Sequence, residues 1–231
     1  MQVIEKMKTK TYIIGDVHGC YYTLMSLIEK LEKNSTIIFV GDLIDKGNFS
    51  KKVVQYVIDN NHDCILGNHE NLMIKYIKDS FLDKNCSNWS SKKYFGGYKT
   101  IEDYKKDKAT LQKHLTWMKS LPRYIMIEKY FITHAFALPY YKRRDTKEVQ
   151  SGLMSNRPSD KKQWGWDWEE GFEDYDITNI YGHEVVEQID INKNFIGIDT
   201  GCVYGKKLSA IELNTKEVIS VDVNIKDISN G

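Results

Sequence analysis

The sequence predicts an α/β fold: two facing mixed β-sheets flanked by helices, with a ligand site at the carboxyl ends of the strands. Three observations carry that expectation. A short apolar run, a glycine-bounded polar turn and an amphipathic stretch follow one another three times in the first part of the chain. Farther on, short β-branched and aromatic runs recur with little helical periodicity between them, and two of them end directly on a histidine. Each sheet built this way needs its apolar face covered, so the two should stack. The 231 residues, 41% of them hydrophobic, are enough for one sizeable core, and residues 1–231 read as a single domain.

In the first unit Thr11-Tyr12-Ile13-Ile14 is a strand and Gly15-Asp16-Val17-His18-Gly19 its polar turn, followed by the helical stripe Leu24, Leu27, Ile28 and Leu31. The second unit is the one the chain is organised around. Its strand is Thr36-Ile37-Ile38-Phe39-Val40, its turn Gly41-Asp42-Leu43-Ile44-Asp45-Lys46-Gly47, and its helix carries Val53, Val54, Val57 and Ile58. The third runs from the strand Cys64-Ile65-Leu66 through Gly67-Asn68-His69-Glu70 into Leu72, Met73, Ile74 and Ile77. Right-handed crossovers place three such turns along one edge of a parallel sheet, where open α/β sheets bind ligands. Asp42 and Asp45 are costly to hold together unless cations neutralise them. A polar loop between strand and helix would explain any one turn, but three in register are hard to explain that way. Asp16, His18, Asp42, Asn68 and His69 offer carboxylate, imidazole and amide oxygen, a mixture suited to intermediate divalent metals rather than calcium.

The later strands are Tyr130-Phe131-Ile132-Thr133, ending at His134, then residues 177–181, ending at Gly182-His183, and Phe195-Ile196-Gly197-Ile198, running into Asp199-Thr200-Gly201. Residues 208–213 and 218–223 are two more, and the lysine-rich residues 99–113 read as a solvated helix face. Charges nearly cancel, 33 basic against 32 acidic residues, so the global balance points to no nucleic-acid polymer and no anionic membrane as partner. Cys20, Cys64, Cys86 and Cys202 have no paired spacing, which excludes a zinc knuckle and a disulfide framework and suits a reducing cytosol. The first ten residues carry no signal-peptide core and no stretch is long and apolar enough to span a bilayer, so a cytoplasmic protein is expected.

Taken in order, Gly15-Asp16-Val17-His18-Gly19, the central Gly41 to Gly47 stretch, Gly67-Asn68-His69-Glu70, His134-Ala135, Gly182-His183 and Ile198-Asp199-Thr200-Gly201 resemble the signature of the calcineurin-like metallophosphoesterases. Within that superfamily the sequence is most similar to the PPP phosphoprotein phosphatases, in the bacterial and phage branch typified by the bacteriophage lambda protein phosphatase. The resemblance implies a metallophosphoesterase sandwich and two divalent ions, manganese first, iron or zinc as the others. One ion would be held by Asp16 and His18 and the second by Asn68, His134 and His183, with Asp42 bridging. It further implies in-line attack by hydroxide held between the ions, His69 protonating the leaving oxygen, and Asp45 orienting His69.

Lys46 departs from the pattern, which has arginine there, and an ammonium is a point charge where a guanidinium is a fork. A second phosphate-binding arginine is matched by Arg157, with Arg143 and Arg144 as fallbacks. The tryptophans of residues 164–172 and the 87–108 stretch with Trp89 could line a peptide groove, or anchor their loops to the core. The expected function is a serine/threonine-type phosphoprotein phosphatase acting on a phosphoprotein or phosphopeptide. The alternative is a symmetrical bis(5'-nucleosyl)-tetraphosphatase acting on a dinucleoside polyphosphate, and a metal-binding module without turnover is the third reading. Asp45 and Glu70 weigh toward the phosphatase, because the hydrolases often lack the first and carry aspartate at the second.

Overall fold

The computed structural model of the chain describes residues 9–82, 87–91, 94–158, 171–191 and 194–229. Two sheets are present among the described residues. The first has the strand order β3 (Asp63–Cys64), β2 (Thr36–Phe39), β1 (Thr11–Ile14), β8 (Lys207–Glu212) and β9 (Val218–Asp222). In it β1, β2 and β3 run parallel, while β8 and β9 are antiparallel additions. The second has the order β4 (Tyr124–Ile127), β5 (Tyr130–Thr133), β6 (Thr178–Tyr181) and β7 (Phe195–Gly197), with β5, β6 and β7 parallel.

The period-2 alternation of the strands divides the core. Ile13, paired with Ile38 on one side and Ile211 on the other, faces the second sheet. There it meets Ile132, Ile180 and Ile196, so this layer, dominated by isoleucine with Val40, Tyr130 and Leu213 beside it, fixes the sheets face to face. The neighbours Tyr12, Ile14, Ile37 and Phe39 point the other way. They are covered by helices α1 (Tyr21–Ile28), α2 (Ser50–Asp59), α3 (Asn68–Leu82), α4 (Gly97–Tyr104) and α5 (Lys108–Ser120), through Leu24, Val53, Met73, Ile101 and Leu115 among others. A one-residue slip of β1 would put these two sets on the wrong faces.

Four features differ from the sequence expectation. Strands β8 and β9 return to the first sheet instead of extending the second, because Leu208 and Ala210 belong to the helix-covered layer while Ile211 joins the inter-sheet layer. Strand β4 was not anticipated: a four-residue apolar run has no periodicity that distinguishes it from a helical segment. The third strand covers Asp63–Cys64 only; the Ile65 amide still donates to the Phe39 carbonyl at 2.9 Å, and the Leu66 amide turns away to the Pro122 carbonyl. Helix α3 starts at Asn68, so Asn68, His69 and Glu70 form its first turn and do not precede it.

At the far end α6 (Ile225–Ile228) returns to α1, and its buried Asp227 accepts from the Tyr22 and Thr23 amides at 3.1 and 2.8 Å. That carboxylate supplies the N-terminal cap that Cys20 does not provide. No helix among the described residues is long and apolar enough to cross a membrane.

Candidate metal centre

The carboxyl ends of the parallel strands of both sheets meet at one edge. From the first sheet come Asp16 and His18 after β1, Asp42 after β2 and Asn68 after β3; from the second come His134 after β5 and His183 after β6. Asp42 lies at the centre. Its Oδ1 is 3.4 Å from His134 Nε2, and its Oδ2 is 3.6 Å from His18 Nε2 and 3.8 Å from His69 Nε2. Asn68 Oδ1 is approached from two sides, by His134 Nε2 at 2.8 Å and His183 Nδ1 at 2.9 Å. Asp16 accepts from the His183 amide through both oxygens, at 3.2 and 3.1 Å, with Oδ2 4.0 Å from His18 Nε2. Two groups of ligand-type atoms result, His18-Asp42-His69 and Asp42-His134-His183, each gathered within 4.8 Å, and Asp42 belongs to both.

Hydrogen bonds set the tautomers. His18 Nδ1 lies 2.8 Å from the Ile44 carbonyl and His134 Nδ1 2.8 Å from the Val40 carbonyl. A carbonyl only accepts, so each Nδ1 carries the proton and each Nε2 is turned into the cluster, the usual support of a metal-binding imidazole.

Charge balance points the same way. Burial, with Asp199 and Asp42 nearby, pushes the Asp16 carboxyl well above its ordinary range. Burial opposes ionisation of Asp42 too, but the three imidazoles of His134, His69 and His18 hold its carboxyl well below that range. For His134 burial acts downward, and Asp42 and Asp16 outweigh it, raising the imidazole to about 10. Lys46 places Nζ 2.9 Å from His18 Nε2, an ammonium resting on a lone pair that a metal would use. Burial lowers Lys46, yet Tyr204, Asp42 and Asp16 hold it above its ordinary value. Buried carboxylates, imidazole nitrogens turned inward and an amide oxygen form a donor set that fits divalent cations.

Beside the cluster His69 Nδ1 lies 2.6 Å from Asp45 Oδ2, while its Nε2 faces Asp42. The His69 ring sits edge-on to His18, with centroids 4.6 Å apart, and to Phe95. The two aspartates of the central turn therefore take different partners. Asp42 lies among the ligand-type groups, and Asp45 takes its hydrogen bonds from His69 and other donors of the protein.

Residues 9–187 match the profile of the calcineurin-like phosphoesterase family. The chain belongs to that family. Curated relatives include the protein of Oceanobacillus iheyensis named bis(5'-nucleosyl)-tetraphosphatase PrpE [asymmetrical], 29% identical over 92% of both chains. The protein of the same name from Geobacillus species strain WCH70 is 30% identical over 92% of this chain and 94% of its own. Among solved structures, one provisionally named a diadenosine tetraphosphatase superposes with a TM-score of 0.67 at 22% identity, covering 95% of this chain and 96% of its own. A serine/threonine phosphatase of Saccharomyces cerevisiae similar to human PP5 gives 0.61 at 15% identity, covering 96% of this chain and 81% of its own. The family is the expected one, and these structures share its fold. The relatives' names are those of tetraphosphatases and not of the lambda-type phosphatase branch.

Backbone strain in this phosphoesterase is concentrated at the centre. Nine non-glycine residues among those described have positive φ, and five are His18, Asp42, Asp45, Lys46 and His183. Close approach also constrains two glycines: a Cβ at Gly67 would collide with Asp42, and one at Gly182 with Asp16.

Glu70 is a structural support the sequence did not reveal in that role. Its carboxylate accepts from the amides of Asp42 at 2.9 Å, Leu43 at 2.8 Å and Gly67 at 3.1 Å, tying the central turn to the start of α3. Burial, reinforced by Asp42, lifts that carboxyl to about 7 against the opposing pull of His134, His69 and the Asp42 amide.

Arg157 is exposed, on the segment whose Asn156 donates to the Phe136 carbonyl. Its charge reaches His183, which is held well below its ordinary value first by burial and then by His134, with Arg157 adding to them. Arg144, a fallback, is engaged elsewhere: it donates to the Tyr141 carbonyl and stacks over the Tyr141 and Tyr124 rings. Of the tryptophan-rich loop, residues 164–170 lie outside the described residues. Trp89 is buried beside Asp45 and does not line an open groove.

Proposed function

We propose that this phosphoesterase is a metal-dependent hydrolase of dinucleoside tetraphosphates, cleaving them asymmetrically. The observation that carries the substrate class is the match, over nine-tenths or more of both chains, to relatives bearing that name. The convergence of ligand-type groups from both sheets on Asp42 supports the chemistry. In this reading Asp16 and His18 would hold one ion and Asn68, His134 and His183 a second, with Asp42 available to both. Manganese is the first candidate and iron or zinc the alternatives. When bound, the ions supply Lewis-acid neutralisation of the phosphoryl group and activation of water.

The protein's own residues do the rest. His69 presents Nε2 to the leaving oxygen and donates a proton, while Asp45 fixes the ring through Nδ1. One lone pair serves one partner, so a cation at His18 Nε2 leaves the Lys46 ammonium to donate to an oxygen of the substrate phosphate. Arg157, at the exposed rim, extends the positive surface along a polyphosphate chain. Replacing Lys46 with alanine is expected to lower kcat/KM by roughly ten- to a hundredfold, the range for loss of a charged hydrogen bond. Unchanged steady-state kinetics on every substrate would place Lys46 outside the substrate contacts.

The deciding experiment is product analysis with manganese supplied. Asymmetrical cleavage of diadenosine tetraphosphate yields ATP and AMP, whereas two ADP would mark the symmetrical reaction. A second reading, phosphomonoesterase action on phosphopeptides, is favoured by the His69–Asp45 pair, because an alkoxide needs a proton more than a phosphate leaving group does. Phosphopeptides assayed in parallel separate the two: turnover of phosphopeptide with diadenosine tetraphosphate left intact selects the second.

A further inference from the structure

Asp45 receives more donors than orienting a histidine requires. His69 Nδ1 and the Trp89 indole Nε1 both lie 2.6 Å from the same oxygen, Oδ2, and the Thr100 hydroxyl donates to Oδ1 at 2.5 Å. Thr100 has one proton to give, so in its 3.0 Å contact with Ser50 the Ser50 hydroxyl donates. The Asp45 amide in turn donates to Ser50 Oγ at 3.0 Å and Thr100 Oγ1 at 3.1 Å. An indole N–H can only donate. Oδ2 is therefore the acceptor of the Trp89 contact, and the same oxygen faces His69 Nδ1.

The supports come from outside the strand-end turns. Trp89 is 1% exposed. Its carbonyl accepts from the Gly97 amide at 3.0 Å, and a Cβ at Gly97 would collide with the indole. Gly97 opens α4 and Thr100 lies in that helix's first turn, so one short segment grips Asp45 by both oxygens.

We propose that Trp89 is a positioning residue of this site: its indole N–H, bound to the oxygen that holds His69, fixes the plane of the Asp45 carboxylate and through it the direction of His69 Nε2. The proposal rests on the reading of His69 as proton donor. With the indole gone, Oδ2 keeps a single partner and only the Thr100 contact at Oδ1 opposes rotation of the carboxylate about its Cβ–Cγ bond, so the imidazole is held less firmly.

The test is Trp89→Phe, which keeps an aromatic ring and removes the N–H. The metal-loaded variant is expected to lose about tenfold in kcat, the scale of one hydrogen bond to a charged group, with KM and bound metal unchanged. In ¹⁵N-histidine-labelled protein the His69 Nδ1–H resonance should exchange with water at least about tenfold faster, as expected when a buried hydrogen bond loses its brace. A merely packing role would move neither the resonance nor kcat alone. An unchanged resonance with unchanged kcat overturns the proposal, and so does loss of metal, which would make Trp89 a support of the whole centre. His69→Asn run beside it separates the two readings. A large loss there with none in Trp89→Phe rejects Trp89 alone, while no loss in His69→Asn removes the proton-donor reading on which the proposal stands.

Discussion

His69→Asn is expected to lower turnover by roughly a hundredfold or more while the protein keeps its full complement of metal, the range set by removal of a general acid. Asparagine preserves a polar group facing Asp45 but supplies no titratable nitrogen at the Nε2 position. The loss should be large for a poor leaving group and small for one such as nitrophenolate, which departs without a proton. Metal content decides between two roles that distance alone leaves open, because His69 Nε2 lies as close to Asp42 as a ligand would. A ligand role predicts that metal leaves with the imidazole. The proton-donor role predicts that metal stays, because Nδ1 is committed to Asp45 and the other histidines of the cluster stand on backbone carbonyls or reach Asn68.

Asp42→Asn should have an effect at least as large. One carboxylate faces both groups of ligand-type side chains through its two oxygens, and an amide offers one acceptor where the carboxylate offers two. Bound metal is expected to fall from two ions per chain to fewer than one. Turnover is expected to drop by roughly a thousandfold or more, corresponding to loss of several kcal/mol of phosphoryl-charge stabilisation. The fold should survive, because Glu70 holds the Asp42 turn through its amide and not its side chain. Elemental analysis alongside circular dichroism checks both statements; a variant that keeps two metals would show that Asp42 does not bridge.

Much of the centre was legible because each of its parts is local. Gly15-Asp16-Val17-His18-Gly19 and the central turn follow strands that announce themselves by β-branched runs, and parallel connections bring strand ends together. The supports were not legible. Trp89 and Thr100 lie 44 and 55 residues from Asp45, and nothing in the intervening sequence marks the pairing. Glu70 was weighed as evidence about substrate, whereas its oxygens are spent on three backbone amides; a residue that shapes a turn is a poor guide to what the turn binds. The destination of β8 was hidden as well, because an alternating strand fits either sheet until the partner faces are known.

The Nδ1 of His134, on the second sheet, donates to the carbonyl of Val40, on the first. The cluster is thus a seam between two halves of the polypeptide. During synthesis Asp16, His18, Asp42 and Asn68 emerge long before His134 and His183, so a half-made chain lacks part of the cluster of ligand-type groups. Ions that bind only once the sheets have docked would favour the joined state over any opened one, by about 2.7 kcal/mol per site when free ion stands at a hundred times its dissociation constant. Scarcity of the metal would then be felt as loosening of the seam as well as loss of turnover, tying the lifetime of the folded protein to the ion supply around it.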